Sequence, residues 1–195
     1  MNTFVRFVQL LATRTAQELN LTSVASAAGV DGTTARRWLN ILLLTGMVFE
    51  LPAWSGNIGK RLIKRPKLYF SDTGVCSFLC GFETADEALD GPMGDALFGT
   101  YVVSEVIKSW AHSGRRSPVY YIRDSNQNEI DLIIERNQRL YPFEIKKGSQ
   151  PSRPLKNWSL LKEKASAIEY SGVICTSEQL FPAGDDRWII PWQMI

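Results

Sequence analysis

Two carboxylates and a lysine in the second half of the chain have the types and spacing of a phosphodiester-cleaving site. Asp131 lies in the run NEIDLIIE, and Glu144 and Lys146 lie in the next run, RLYPFEIKK. Alternate residues of a strand share a face, so Glu144 and Lys146 point the same way, and a neighbouring strand can bring Asp131 beside them. Carboxylate oxygens suit Mg²⁺ or Mn²⁺. The pattern predicts a divalent-metal site if the two runs are neighbouring strands.

Each of the three residues has a predicted catalytic role. Asp131 and Glu144 are predicted metal ligands, and a metal ion held there would clamp and polarise a scissile phosphate. Lys146 would orient or activate the attacking water and offset the charge that develops on the phosphate. The alternative interpretation is a surface hairpin whose alternating charges form ordinary salt bridges.

The elements around these residues predict an α/β (α+β) domain. A strongly apolar helix is expected over 95–111, and three strands follow in the runs PVYYIR, NEIDLIIE and RLYPFEIKK, with Ile130, Leu132 and Ile134 on the core face. A helix over about 154–165, a strand over about 170–176 and a last apolar run, RWIIPWQMI, come next. Short turns favour an antiparallel meander, and the helix permits a parallel crossover. The order predicts an α/β sandwich with a mixed central sheet.

The first part of the chain predicts a winged helix-turn-helix. An amphipathic helix over 4–19 is followed by a short helix ending at Gly29, a helix over about 33–44 capped by Asp31, and a hairpin made of MVFELPAW and RLIKRPKLYF. In this arrangement the third helix enters a major groove and the wing meets phosphates. The predicted DNA-binding residues are Thr33, Thr34, Arg36 and Arg37 on the helix and Lys60, Arg61, Lys64, Arg65 and Lys67 on the hairpin. The alternative is a three-helix unit that contacts only proteins.

Composition supports two domains with opposite charge. The 195 residues are 45% hydrophobic and 22% charged, which is typical of packed domains. The net charge of +2 hides nine Lys/Arg against four Asp/Glu in residues 1–72 and thirteen against sixteen in 73–195. The basic part favours a polyanion, and the acidic part could hold a metal. We predict a first domain over 1–82, an acidic Gly/Pro-rich linker over 83–94, and a nuclease-like domain over 95–195.

Cysteine and hydropathy patterns point to a cytoplasmic protein. Cys76 and Cys80 lie one helical turn apart and Cys175 is remote, so reduced buried thiols are expected rather than a zinc site or disulfides. No run approaches the ~18 apolar residues that a membrane span needs. We expect no membrane association.

Asp131, Glu144 and Lys146, with the element order around them, resemble the PD-(D/E)XK nuclease superfamily. The whole chain also resembles the domain of unknown function 4143. The segments that carry this second resemblance are TTARRWLNILLLTGMVFELPAW, KRLIKRPKLYFSDTGV, LFGTYVVSEVIK, YYIRDSNQNEIDLIIE and FEIKKG, in that order over nearly all of the chain. The resemblance implies a winged helix joined to a restriction-endonuclease-like domain and, in the full protein, an AAA-type ATPase. The stretch WSGNIGKR lacks two residues of a P-loop, so this chain is not expected to bind ATP itself.

The chain departs from the family pattern at two positions, Gly99 and Asn128. Gly99 stands where the family usually has a helix glutamate that reaches the metal. Glu105 matches a second family glutamate and becomes the third predicted metal ligand, although six residues on it projects from another side of the helix. Asn128 replaces a family glycine, and asparagine tolerates positive φ.

Three functions remain open from the sequence. The first is a DNA-associated module with a nuclease-like, active or degenerate, domain, and this is the function we predict. The second is a Mg²⁺-dependent DNA endonuclease. The third is a protein-interaction module that regulates a partner ATPase without touching nucleic acid.

Overall fold

The structure is a computed structural model that describes residues 2–56, 64–149, 157, 160–161, 167–184 and 186–195. The chain forms two compact units, and each is described separately. The first contains Met1–Leu51 and Arg65–Ser104, and the second contains Pro52–Lys64 and Glu105–Ile195. The predicted domain boundaries at 82 and 95 stay a prediction, because compactness divides the chain at other points.

The first unit combines short helices with a small antiparallel sheet. Its helices are α1 (Thr3–Ala12), α2 (Leu21–Ala28), α3 (Gly32–Leu44), α4 (Thr73–Leu79) and α5 (Ala85–Asp90). Its strands are β1 (Gln17–Glu18), β2 (Val48–Leu51) and β3 (Lys67–Phe70), in the order β1-β3-β2. The segment 83–94, which we predicted to be a linker, therefore contains a helix.

Capping residues set the helix ends that position α3. The side chain of Asn20 accepts the Ser23 N–H at the start of α2, and Gly29 ends α2 with a φ of 76°. Asp31 then caps α3 by accepting the Thr34 N–H at 2.9 Å. Asparagine and aspartate satisfy N–H groups that a helix leaves unbonded, and glycine tolerates the left-handed conformation. The predicted Gly29 and Asp31 caps are confirmed.

The core of this unit forms from the apolar stripes of α1, α2 and α3. Phe7 and Leu39 are fully buried, and Trp38 packs edge-to-face on Phe4 and Phe7 with ring centroids 5.2 and 5.4 Å away. Such aromatic pairs add to the burial of their apolar area. This packing leaves the opposite side of α3 outside the core.

The first predicted helix is too long. We expected it over 4–19, but α1 ends at Ala12, where Thr13 becomes its C-cap. Ala16 has a φ of 62°, which breaks the helix, and Gln17 pairs with Leu68 in the sheet. β-Branched threonines and the gain of sheet hydrogen bonds explain the early end.

Among the described residues, the predicted hairpin pairs at its base. β2 and β3 pair in register from Val48↔Phe70 to Leu51↔Lys67. The chain then leaves the hairpin: Trp54 N–H donates to Tyr121 O at 2.6 Å, and Tyr121 N–H donates to Pro52 O. The predicted tip falls largely on residues 57–63, which lie outside the described residues.

The second unit is built on a six-stranded mixed sheet. Its helix α6 (Gly94–His112) begins in the first unit, and the strands are β4 (Val119–Arg123), β5 (Glu129–Arg136), β6 (Arg139–Lys146), β7 (Ser171–Cys175), β8 (Phe181–Pro182) and β9 (Arg187–Pro191), followed by a 3₁₀ helix, Trp192–Met194. The order is β4-β5-β6-β7-β9-β8; β4, β5 and β6 are antiparallel neighbours, and β6, β7 and β9 run parallel. The predicted mixed sheet is confirmed. The helix predicted over 154–165 lies mostly outside the described residues.

Two of the three thiols are buried among the described residues. Cys76 and Cys175 are buried and Cys80 is half-buried, and none forms a disulfide. Burial raises the pKa of the Cys76 thiol to about 12, and the thiol lies 3.6 Å from Ala12 O. In the part of the chain that the structure describes, no helix has the length and hydropathy required to cross a bilayer.

Replacing two glycines by alanine should change the stability of the protein in opposite directions. A Cβ added at Gly99, within α6, meets nothing within 4 Å, whereas one at Gly172, in β7, meets Trp188 O at 2.5 Å. We expect Gly99→Ala to raise the free energy of unfolding by about 0.5–1 kcal/mol, since glycine disfavours helix interiors. Gly172→Ala should lower it by about 1–3 kcal/mol through overpacking. Urea unfolding of both variants measures these changes, and a stable Gly172→Ala protein would contradict the described β7–β9 register.

Candidate functional site

The strands that carry Asp131 and Glu144 are neighbours in the sheet. β5 and β6 pair antiparallel, and the last pair of the ladder toward the site is Leu132↔Phe143. One step further along this register, Asp131 stands opposite Glu144. Residues directly opposite on antiparallel strands project from the same face, with Cβ atoms about 5 Å apart.

A β-bulge lies in β5 at Asp131. On the neighbouring strand β4, Tyr120 pairs with Ile133 and Ile122 pairs with Ile130, so both Asp131 and Leu132 stand opposite Tyr121. A bulge interrupts the ladder, bends the strand and redirects a side chain, and bulges are frequent beside active sites. The ladder between β5 and β6 ends at this same point. The bulge therefore gives Asp131 its position at the site.

The bulge also explains an error in the predicted core face. Strict alternation placed Ile130, Leu132 and Ile134 in the core and Ile133 on the charged face. Instead Ile133 is fully buried, in one cluster with Ile130 and Leu140, and Ile134 is half-buried. One extra residue shifts the alternation of every residue beyond it.

The three charged side chains meet at one point. Lys146 Nζ lies 3.1 Å from Glu144 Oε2 and 3.8 Å from Asp131 Oδ2. Asp131 Oδ2 also accepts the backbone N–H of Ile145 at 2.9 Å, which fixes its carboxylate against β6. The side chain of Lys146 is 52% exposed and that of Glu144 is 5% exposed. The site is thus a buried carboxylate with a lysine that reaches solvent.

Glu144 has one unsatisfied oxygen. Its Oε1 is buried and finds no hydrogen-bond donor among the described residues. A buried charged oxygen without a partner is costly, so such an atom calls for an ion or an ordered water. Hard carboxylate oxygens at one spot match what Mg²⁺ and Mn²⁺ prefer. Asp131 and Glu144 therefore fit a divalent cation.

The third predicted ligand does not join them. Glu105, on α6, is half-buried and pairs with Lys108 Nζ at 2.7 Å, one turn along the helix. Within the described ranges, no group of three or more His, Cys, Asp or Glu side chains is close enough to hold a metal ion. The local arrangement consists of two carboxylates and a lysine.

Hydrogen bonds order the turn that leads into β5. Asp124 accepts the N–H groups of Asn126 and Asn128 and the side-chain amide of Asn128, and these bonds lower the pKa of Asp124, the Asn128 side chain most. Asn128 stands in place of a family glycine and would tolerate a positive φ. That φ, 65°, falls instead on Gln127.

The predicted DNA-binding residues of α3 lie at its first two turns. Thr33, Arg36 and Arg37 are exposed, whereas Thr34 is half-buried and its hydroxyl donates to Asp31 Oδ2 at 2.7 Å. Burial raises the pKa of Glu50 on β2, and the charge of Arg36 opposes that rise, so the two groups are electrostatically coupled. The residues predicted from the sequence did not include Asn40, which is also exposed on α3. Its spacing of three residues from Arg37 could have identified it.

The predicted wing residues divide into three groups. Lys64 and Arg65 are exposed. Lys67, in β3, is only 5% exposed, so it does not belong to the exposed basic surface. Lys60 and Arg61 lie outside the described residues.

The ion pair predicts a coupled pattern of stability. Lys146→Met should lower the free energy of unfolding by about 1–3 kcal/mol, because it leaves the buried carboxylate of Glu144 without its ammonium partner. Adding Glu144→Gln should recover most of that loss. Urea unfolding of the two single variants and the double variant measures the coupling. Strictly additive losses would show that the two groups do not interact.

Two family models match successive parts of the chain. The model of a family described as Domain of unknown function (DUF8612) matches residues 1–86, and that of Domain of unknown function (DUF4143) matches residues 95–195. The DUF4143 match is shorter than the resemblance predicted from the sequence, which extended over nearly the whole chain.

Uncharacterised proteins of Mycobacterium bovis and Mycobacterium tuberculosis are similar to this chain. Each is 33% identical over 175 residues, which cover 88% of this chain but only 38% of the relative. The chain thus spans well under half the length of these curated relatives. No solved structure matches it. Because the match at residues 95–195 covers more than half of the 195 residues, the chain belongs to the family of the domain of unknown function DUF4143.

Proposed function

We propose that this chain is a DNA-associated module in which a basic winged helix binds duplex DNA and a nuclease-like domain completes the chain. The observation that carries the proposal is the exposed side of α3, where Arg36 and Arg37 project away from the core. Two arginines on one exposed helix face attract phosphates without requiring any particular sequence.

The arrangement of the first unit supports the winged-helix part of the proposal. Helices α1, α2 and α3 precede the antiparallel pair β2 and β3, and α3 buries Ala35, Leu39 and Leu42 while exposing its other side. This is the order in which a helix-turn-helix presents its recognition helix. Residues 1–72 also carry nine Lys/Arg against four Asp/Glu. Charge and topology thus favour the same ligand.

The proposal predicts salt-dependent binding that requires α3. Wild-type protein should bind a duplex oligonucleotide with an affinity that falls steeply with salt. Arg36→Ala/Arg37→Ala should reduce the affinity at least tenfold at low salt and lower the salt slope by about 0.9 for each phosphate that the variant no longer neutralises. Fluorescence anisotropy at several salt concentrations measures both quantities.

A matched control removes the same two charges elsewhere. Arg115 and Arg116 are exposed in the second unit, so Arg115→Ala/Arg116→Ala should bind like the wild type. Equal losses in this variant and the α3 variant would mean that only net charge matters. The protein-interaction module would be favoured instead if the protein left the anisotropy of the duplex unchanged at low salt and stably captured an AAA-type ATPase.

A metal-dependent nuclease is the second candidate, and Glu144 Oε1 is the observation that favours it. Asp131 and Glu144 would hold Mg²⁺ or Mn²⁺, which would supply Lewis-acid polarisation of a phosphate. Lys146 extends to solvent beside both carboxylates, so its ammonium can neutralise charge on a bound phosphate and orient a water. The Ile145 N–H holds Asp131 in place for this role.

Metal binding and cleavage can be measured separately. Mn²⁺ should raise the melting temperature of the wild type, because an ion that binds the folded state stabilises it, and Asp131→Asn should abolish that rise. Mn²⁺-dependent nicking of duplex or branched DNA should disappear in Asp131→Ala and Lys146→Ala alike. Glu178→Ala removes an exposed carboxylate that is not one of these residues, and it is the control. Nicking that survives Asp131→Ala would come from a contaminant and exclude this candidate.

The resemblance also implies attachment to an AAA-type ATPase, and we include that attachment in the proposal. Its support is the length of the mycobacterial relatives, of which this chain covers 38%.

A further inference from the structure

The exposed side of α3 has a defined centre. At 100° per residue, Thr33, Arg37, Asn40 and Leu44 fall within a sector of about 60°. The buried residues Ala35, Leu39 and Leu42 lie on the opposite side of the helix. These four residues, Thr33, Arg37, Asn40 and Leu44, form the central line of the exposed face. All of them are exposed, and the exposed fraction of Leu44 is 87%. A ligand that approaches the exposed face of α3 at its centre therefore contacts these four residues first.

The flanking residues have other assignments. The hydroxyl of Thr34 donates a hydrogen bond to Asp31 Oδ2 at 2.7 Å, so Thr34 stabilises the first turn of α3. Arg36 lies about 100° from Arg37 around the helix and is coupled to the charge of Glu50. Arg36 therefore starts from the side of the face, where a groove wall would bring phosphates.

The chemistry of the central line suits base edges in duplex DNA. An arginine can donate two hydrogen bonds to guanine O6 and N7, and an asparagine can both donate to and accept from adenine N7 and N6. The line contains these two types at adjacent positions of one face. The sequence of α3 has no Asp or Glu, so the face is complementary in charge to a polyanion.

The dimensions of this face also fit a major groove. From Thr33 to Asn40 the helix rises about 10 Å, and the groove is about 12 Å wide. Leu44 lies one turn beyond, where an exposed apolar side chain can meet a thymine methyl group.

We propose that α3 reads sequence, with Asn40 at an adenine and Arg37 at a guanine, while Arg36 contacts phosphate. This inference rests on the proposed DNA binding and adds base readout and a residue, Asn40, that its charge does not identify. Sequence-independent binding needs the arginines alone, so the role of Asn40 separates the two proposals.

The test selects bound duplexes from a randomised library at fixed salt. Wild-type protein should enrich a motif that has an adenine and a guanine within about four base pairs. Asn40→Ala should lose roughly tenfold or more of the adenine discrimination. The affinity of Asn40→Ala for an arbitrary duplex and its salt slope should stay at the wild-type values.

Arg36→Ala should enrich the same motif as the wild type, but its affinity for duplex DNA and its salt slope should both be lower. Asn126→Ala, at an exposed asparagine of the turn before β5, is the matched control. Circular dichroism confirms that each variant is folded.

Each outcome supports or overturns one or both of the two proposals, DNA binding and base readout. Salt-dependent binding with no enriched motif, or an Asn40→Ala variant that enriches the wild-type motif unchanged, would overturn the readout and leave DNA binding standing. A wild-type protein that binds no duplex at any salt would overturn both. Loss of the adenine preference in Asn40→Ala alone supports the assignment.

Discussion

The buried carboxylate of Glu144 is the constraint on which the candidate site depends. Burying a carboxylate whose side chain is 5% exposed is costly without a partner of opposite charge, and Lys146 Nζ is such a partner at 3.1 Å. The ion pair leaves Oε1 unsatisfied, so the compensation is incomplete. A buried ion pair of this kind contributes little to the stability of the fold, because replacing such a pair by well-packed apolar residues of similar volume is often neutral or stabilising. The Glu144 carboxylate, next to Asp131, has the chemistry of a cation ligand.

Much of the second unit follows from simple patterns in the sequence. Alternating apolar residues identify β4, β5 and β6, and the two short turns make their antiparallel order the simplest one. The apolar run after the predicted helix over 154–165 predicts β7, and β7 pairs parallel with β6, which is the pairing that a helical crossover permits. Because β5 and β6 are consecutive, the proximity of Asp131 to Glu144 and Lys146 could be predicted from their spacing alone.

What the sequence did not reveal depends on long-range competition for backbone hydrogen bonds. The bulge at Asp131 arises in the pairing with β4, and nothing in NEIDLIIE itself marks an extra residue. The segment from Pro52 to Trp54 leaves its hairpin because Tyr121 offers it both a donor and an acceptor. Similarly, α1 ends at Ala12 because Gln17 gains a partner in β3. Local propensity contains no information about such partners.

The two proposed activities have separate physical origins in the chain. An exposed helix face with two arginines and an asparagine offers recognition of a duplex, and a bulged pair of strands offers a place for a cation. The most direct test of the second, on which kinship with nucleases depends, is anomalous diffraction from crystals soaked in Mn²⁺. We predict a peak within coordination distance of Glu144 Oε1 and the Asp131 carboxylate, absent from Asp131→Asn crystals. A saturating soak with no peak there, or one that persists in Asp131→Asn, would contradict the account.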